Sequence, residues 1–201
     1  MNGAVIVETR ALPNLVELIN NHMKHLKGWG LTIFCSNENY LILNKYFKDA
    51  KIINIKSSIN ELTYNCMLCS KEFWESIEYD NILVFQHDSM LLRGGVEMYI
   101  GLDYIGAPIK HIPFPAMNGG LSLRTKKAML DTLNTISYNP FVHGNEDMFY
   151  SNYLVGKKAT KEQAEMFSCE TMFKLGTLGT HAIEKHLTES EVNKIKNQYN
   201  D

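Results

Sequence analysis

Short apolar runs alternate with stretches of helical periodicity through the first ninety residues. Ala4-Val5-Ile6-Val7 reads as a first strand, and Leu12, Leu15, Val16, Leu18, Ile19, Met23 and Leu26 then recur at the spacing of one helix face until Gly28 and Gly30 end it. Leu31 to Cys35 is β-rich and runs into the turn-forming Ser36-Asn37-Glu38-Asn39. The pattern continues with a helix over Tyr40 to Phe47, a strand over Lys51 to Ile55, and one helix from Tyr64 to Ile77 that contains Trp74. Asn81-Ile82-Leu83-Val84-Phe85-Gln86 is an unbroken apolar run, the mark of a strand buried on both faces. Strands alternating with helices predict right-handed βαβ units and a mainly parallel sheet flanked by helices.

Beyond Leu92 the texture changes. Tyr104 to Pro108 reads as a strand or turn edge, and His111-Ile112-Pro113-Phe114-Pro115 as a proline-rich loop. Asn118-Gly119-Gly120 leads into a strand at Leu121-Ser122-Leu123, followed by a helix from about Thr125 to Leu133. A further helix opens at Asn145-Glu146-Asp147 and runs through Val155, and a polar, helix-prone tail spans 188–201. No repeat or linker interrupts the chain, so the expectation is one α/β domain over 1–201.

Composition narrows the function. Lys and Arg number 20 against 22 Asp and Glu, a net charge of −2, so a basic surface for nucleic acid is not expected. A pocket for one phosphate-bearing ligand remains open, because a metal ion or a few donors leave no trace in bulk charge. No window approaches the ~20 apolar residues of a membrane span, and the start lacks the basic, apolar pattern of a secretory signal. A cytoplasmic protein is expected. Cys66-x-x-Cys69 lacks a second ligand pair for zinc and reads as two small residues on a buried helix.

In an open α/β sheet, ligands bind outside the carboxyl ends of the strands. Glu8, Thr9 and Arg10 follow the first strand, Ser36 the second, and Gln86-His87-Asp88 the apolar fourth. A carboxylate at the mouth of such a strand is costly unless paired, solvated or bound to a cation. Asp88 is therefore either a turn cap or a ligand for a hard divalent ion. Neither glycine-rich phosphate cradle, Gly-x-Gly-x-x-Gly nor Gly-x-x-x-x-Gly-Lys-Ser/Thr, occurs, so a bound diphosphate would need another source of positive charge. Acids at Glu146 and Asp147 favour a helix N-terminus and also suit proton transfer. The paired glycines Gly119 and Gly120 permit positive φ or close approach to a ligand, or else a tight turn. Of the three arginines, Arg93 either neutralises diphosphate or caps a surface turn.

Phe85-Gln86-His87-Asp88-Ser89, Asp103-Tyr104-Ile105-Gly106-Ala107-Pro108, Asn118-Gly119-Gly120-Leu121-Ser122-Leu123-Arg124 and Asn145-Glu146-Asp147 fall in an order that resembles the GT-A fold glycosyltransferase-like proteins of bacteria, fungi and large DNA viruses. Tyr64-Asn65, Phe73-Trp74 and Gly179-Thr180-His181 are similar to that group as well. The resemblance implies a Rossmann-like GT-A domain that transfers a sugar from a nucleoside-diphosphate donor, UDP favoured, to a carbohydrate or other hydroxyl acceptor. It implies Mn²⁺ or Mg²⁺ on Asp88 and His181, Gln86 standing where the family's first acid does. Val7, Glu8, Thr9, Arg10, Ser36, Gln86 and His87 would hold the nucleotide, His87 pointing away from Asp88. Asn118, Gly119 and Gly120 would approach the sugar or acceptor. Asp147 would be the general base of an inverting transfer with Glu146 assisting, and a viral member would act in the host cytoplasm. The rivals are a non-catalytic nucleotide-sugar or carbohydrate-binding module and a nucleotidyltransferase. The latter usually needs a glycine-rich basic loop, which Glu8-Thr9-Arg10 is not.

Overall fold

The computed structural model describes residues 1–199. Its main sheet has six strands in the order β3 (Lys51–Asn54), β2 (Gly30–Cys35), β1 (Asn2–Val7), β4 (Asn81–Phe85), β7 (Met117–Thr125) and β6 (Tyr104–Pro108). The first four are parallel, and β7 runs antiparallel to both β4 and β6. Ile82, Leu83, Val84 and Phe85 are fully buried, which is why β4 carries no polar alternation: it is covered on both faces. Because β7 is reversed, its first residues reach the same edge as the last residues of β4, and Phe85 pairs with Leu121.

Helices α1 (Leu15–Met23), α2 (Tyr40–Tyr46), α3 (Glu61–Leu68), α4 (Lys71–Ser76) and α5 (Lys126–Thr135) pack around this sheet. The single helix expected over Tyr64 to Ile77 is two. Asn60 and Thr63 cap α3 reciprocally, and the Ser70 hydroxyl accepts the Phe73 N–H to start α4, so two caps outweigh continuous apolar spacing. Cys66 is exposed rather than buried, whereas Cys69 is buried, and both thiols are free. A second, three-stranded sheet follows, ordered β5 (Ser89–Leu91), β9 (Gly179–His181) and β8 (Ser168–Cys169). It is joined by α6 (Pro140–His143), α7 (Glu146–Tyr153), α8 (Lys161–Phe167), α9 (Ile183–His186) and α10 (Glu189–Asn197). The tail helix begins as its sequence suggests, with Thr188 and Glu191 forming a capping box. Asn200 and Asp201 lie outside the described residues.

Asn118-Gly119-Gly120 is not a turn. It lies inside β7, and neither glycine adopts positive φ. Low strand propensity is overridden there because side chains of this protein occupy the space a Cβ would take.

Candidate functional site

At the carboxyl edge of the parallel strands, a cleft of about 410 Å³ is lined by Val7, Glu8, Thr9, Arg10, Tyr64, Gln86 and His87, together with Ile59-Asn60-Glu61. Six of the seven expected nucleotide-site residues meet here. Ser36 does not: it is buried, and its hydroxyl donates to Thr9 O at 2.6 Å and accepts the Glu38 N–H, which orders the turn beneath the cleft. Glu8 is buried and held by Arg10, whose Nε and Nη2 donate to its two oxygens at 2.8 and 2.6 Å. Burial works to raise the Glu8 carboxyl, but the Arg10 guanidinium and backbone N–H bring it below its usual range. Contrary to expectation His87 does not point away from Asp88, because strand alternation ends at Phe85: it lines the cleft with its Nδ1 3.0 Å from Arg10 Nη2 and 3.8 Å from Asp88 Oδ1.

Asp88 stands where β4 gives way to β5. Lys185, on α9, donates to its Oδ2 at 2.6 Å, and His181 Nε2 lies 3.2 Å from its Oδ1. Burial works to raise the Asp88 carboxyl, yet these two neighbours hold it well below the usual carboxylate range. The His181 ring is clamped on both sides: Nδ1 donates to Glu170 Oε1 at 3.1 Å, and Nε2 is also 3.2 Å from Gln86 Oε1. Burial opposes charge on this ring, but Asp88 and Glu170 push it up to about 9.

These groups would hold a divalent cation shared with a ligand once His181 releases its Nε2 proton, because a cationic imidazole has no lone pair for a metal. Asp88 Oδ1 is buried with the His181 Nε2 beside it at 3.2 Å, Gln86 Oε1 converges on the same space, and Glu170 orients the imidazole from behind as a carboxylate does behind a metal-ligating histidine. Among the described residues no group of three His, Cys, Asp or Glu side chains forms a metal cage. Two strong donors and one amide suit an ion whose other positions are filled by phosphate and water oxygens.

The second acidic centre sits at the start of α7. Arg124, fully buried on β7, donates from Nη1 and Nη2 to Glu146 at 2.6 and 3.0 Å, and its guanidinium lies 5.1, 5.6 and 5.9 Å from the Tyr104, Tyr150 and Trp74 rings. Each Glu146 oxygen thereby accepts from Arg124, which fixes the carboxylate as the counter-ion of that guanidinium. Asp147 next to it has no cationic partner. Its oxygens accept the Gly119 and Met148 N–H groups at 3.3 and 2.7 Å, and burial together with the Glu146 charge pushes its carboxyl up to about 6. The Tyr64 hydroxyl is buried without a hydrogen-bond partner; burial pushes it up, and it feels the charges of Glu146 and Asp147 while Gln86 lies alongside. Gln86 and Tyr64 thus connect the His181 side of the cleft to the Asp147 side.

At both glycines the protein's own side chains fill the space that a Cβ would take. A Cβ on Gly119 would fall 2.5 Å from Arg124 Nη2, and one on Gly120 would fall 2.5 Å from His181 Cε1. Asn118 turns inward too, its Oδ1 accepting the Gly120 N–H at 2.7 Å. Arg93 donates to the Tyr199 hydroxyl, away from the cleft lining. Sequence reading missed Glu170 and Lys185. Lys185 had a usable signal, four residues beyond His181, whereas nothing in the local sequence marks Glu170.

The chain belongs to the family described as "Protein of unknown function (DUF5672)", whose family profile matches residues 47–182. No curated protein matches it. Among solved structures, the glycosyltransferase GlyE of Streptococcus pneumoniae TIGR4 is similar at 12% identity and TM-score 0.51, covering 81% of this chain and 45% of that one. Its apo form gives 13% identity, TM-score 0.49, and 81% and 46% coverage. Mouse xyloside xylosyltransferase 1 gives 12% identity, TM-score 0.48, and 75% and 80% coverage. The chain spans about half the length of the GlyE chains it matches. The GlyE likeness shows the fold, a glycosyltransferase-like α/β sheet of GT-A type. No helix among the described residues is long and apolar enough to cross a membrane.

Proposed function

We propose that this member of the family is a glycosyltransferase that moves a sugar from a nucleoside-diphosphate donor, a UDP-sugar foremost, to a hydroxyl acceptor with inversion. The observation that carries the reading is Asp147: a carboxylate with no ion-pair partner among the described residues, set at about 6 beside one bound to Arg124, and near enough to the cleft-lining Tyr64 for that hydroxyl to feel its charge. An acceptor hydroxyl becomes a competent nucleophile when a base takes its proton as the new C–O bond forms, and a base near 6 is ionised at neutral pH while still holding a proton well. Glu146 is kept from that role by Arg124, so the division between the two acids follows from one ion pair. The Asp147 oxygens are aimed by the Gly119 and Met148 N–H groups, each using one lone pair and leaving another for the acceptor.

Across the cleft, Val7, Glu8, Thr9, Arg10 and His87 line the space for the nucleoside, with Arg10 and Glu8 locking each other into one arrangement. Asp88 and His181, with Gln86 beside them, would hold Mn²⁺ or Mg²⁺. When bound, the ion supplies positive charge where the diphosphate leaves, commonly the largest contribution to such catalysis. Glu170 holds the His181 ring in place, and Lys185 adds a cation on the outer oxygen of Asp88.

The test is release of free nucleoside diphosphate from a panel of nucleotide sugars in Mn²⁺ or Mg²⁺, with simple glycosides as acceptors. Release that disappears in Asp147→Asn while UDP affinity persists is the expected result. Full turnover in that variant removes Asp147 as base. UDP binding without release from any donor would favour a non-catalytic binding module, a reading that the single acid of Gln86-His87-Asp88 supports.

A further inference from the structure

Glu170 has a second face that the transfer chemistry does not use. Its Oε1 accepts from His181, but its Oε2 is buried and has no hydrogen-bond partner. Ser168 lies two residues earlier, in β8, and its Oγ is buried and without a hydrogen-bond partner among the described residues as well. The two residues are 5% and 1% exposed. Both line a cavity of about 220 Å³ whose other walls include Pro108, Met172 and Phe173. At roughly 30 Å³ per water molecule the space exceeds what one bridging water fills. It adjoins a second cavity of about 320 Å³ that shares Pro108 and Met172 and reaches Phe114.

We propose that this cavity binds a neutral polyhydroxylated ligand, a sugar unit, with Ser168 and Glu170 bonded to its hydroxyls and Phe173 against its C–H face. The charges nearby are already matched. Glu170 faces His181 and, at 4.0 Å, His186, while Glu165 pairs with Lys174 at 3.7 Å. What is missing is a partner that both donates, to Glu170 Oε2, and accepts or donates at Ser168 Oγ; a hydroxyl does each. Aromatic and thioether surface beside two polar atoms is the mixed lining that a sugar ring, apolar on its face and polar at its edge, requires. The adjoining cavity leaves room for a second unit, so a short saccharide suits the surface better than a lone ring. None of the lining residues is shared with the nucleotide cleft.

The inference does not depend on sugar transfer, and its test needs no turnover. Methyl glycosides of glucose, galactose, mannose and N-acetylglucosamine would be titrated by saturation-transfer NMR into the full chain, with and without UDP and Mn²⁺. At least one should bind saturably in the range of ~1 mM, unaffected by UDP, and Ser168→Ala and Phe173→Ala should each weaken it by about tenfold. Phe173 is 38% exposed, so its truncation leaves the core intact. UDP affinity should be unchanged in both variants. Absence of binding by all four glycosides, displacement by UDP, or parental affinity in both variants overturns the proposal. A protein that binds the sugar here yet releases no nucleoside diphosphate loses the transferase reading and keeps this one.

Discussion

Two ionic centres share the edge of the main sheet, and they are built in opposite ways. Around Arg124 and Glu146 the surroundings are dry: a bidentate pair, 0% and 3% exposed, boxed by Trp74, Tyr104 and Tyr150, with Ser122 accepting from the guanidinium Nε. Around Asp88 the groups are looser and lopsided. Lys185 and His181 crowd one carboxylate, and one buried oxygen still lacks a hydrogen bond. A centre closed by a buried bidentate pair fixes the fold and sets the environment of its neighbours. A centre whose carboxylate keeps an acceptor open is ready for a further ligand. If this contrast is real, substitutions at the first should register mainly in stability, and those at the second mainly in binding.

The largest effect is expected at Arg124. Arg124→Met removes the cation and leaves Glu146 buried without compensation, which costs about 3–5 kcal/mol for a buried pair broken from one side. Urea denaturation at pH 7 measures it. A loss under about 1 kcal/mol would mean that the pair is solvated and that the contrast between the two centres fails.

Asp147 comes next, because it feels the first centre without belonging to it. Its folded value near 6 exceeds the ordinary 3.8, so the native state binds more protons than the unfolded one between those two pH values. Stability from this group is therefore present below about pH 4, falls as pH rises through 6, and stays lost above, by at most about 3 kcal/mol for two pH units. Asp147→Asn abolishes that dependence. Thermal melting should find the variant more stable than the parent at pH 7.5 and the two alike at pH 4, while the parent's transfer rate climbs as pH passes about 6. Parallel melting curves at both pH values would show that Glu146 and burial do not perturb Asp147.

The contrast also explains what could be read from the chain without coordinates. The regular βαβ half was legible because its periodicities are long: the apolar run at Asn81–Phe85 has one physical reading, a strand covered on both faces, and it occupies the interior of the sheet. Caps escaped notice where apolar spacing continued across them, as at Ser70 between α3 and α4. The small sheet of β5, β9 and β8 has strands of two or three residues, too short for any period to show. Within the site, residues directly after strands were visible because topology places strand ends together. Glu146 was readable as an acid at a helix start, but its partner lies 22 residues away on β7, and no local pattern encodes that pairing. Glu170 has the same status beside His181, 11 residues away.

The smallest and most discriminating effect separates two adjacent residues. Gly119 and Gly120 are successive on β7, so their missing side chains would point to opposite faces, one toward each centre. A Cβ at Gly119 meets Glu146 and Arg124, which three aromatic rings prevent from moving; Gly119→Ala should cost about 1–3 kcal/mol of stability by overpacking. A Cβ at Gly120 meets the Nε2 edge of the His181 ring and would push the imidazole off Asp88 and Gln86. Gly120→Ala should therefore lose roughly tenfold in UDP affinity with Mn²⁺ present, and little without it, as Asp88→Ala should, whereas Gly119→Ala should leave that Mn²⁺ dependence unchanged. Calorimetric titration of UDP with and without Mn²⁺, set beside the melting curves, reads both. If both glycine variants lose stability equally and neither changes the Mn²⁺ dependence, the Asp88 centre is as rigid as the Arg124 centre, and the assignment of cation binding to it falls.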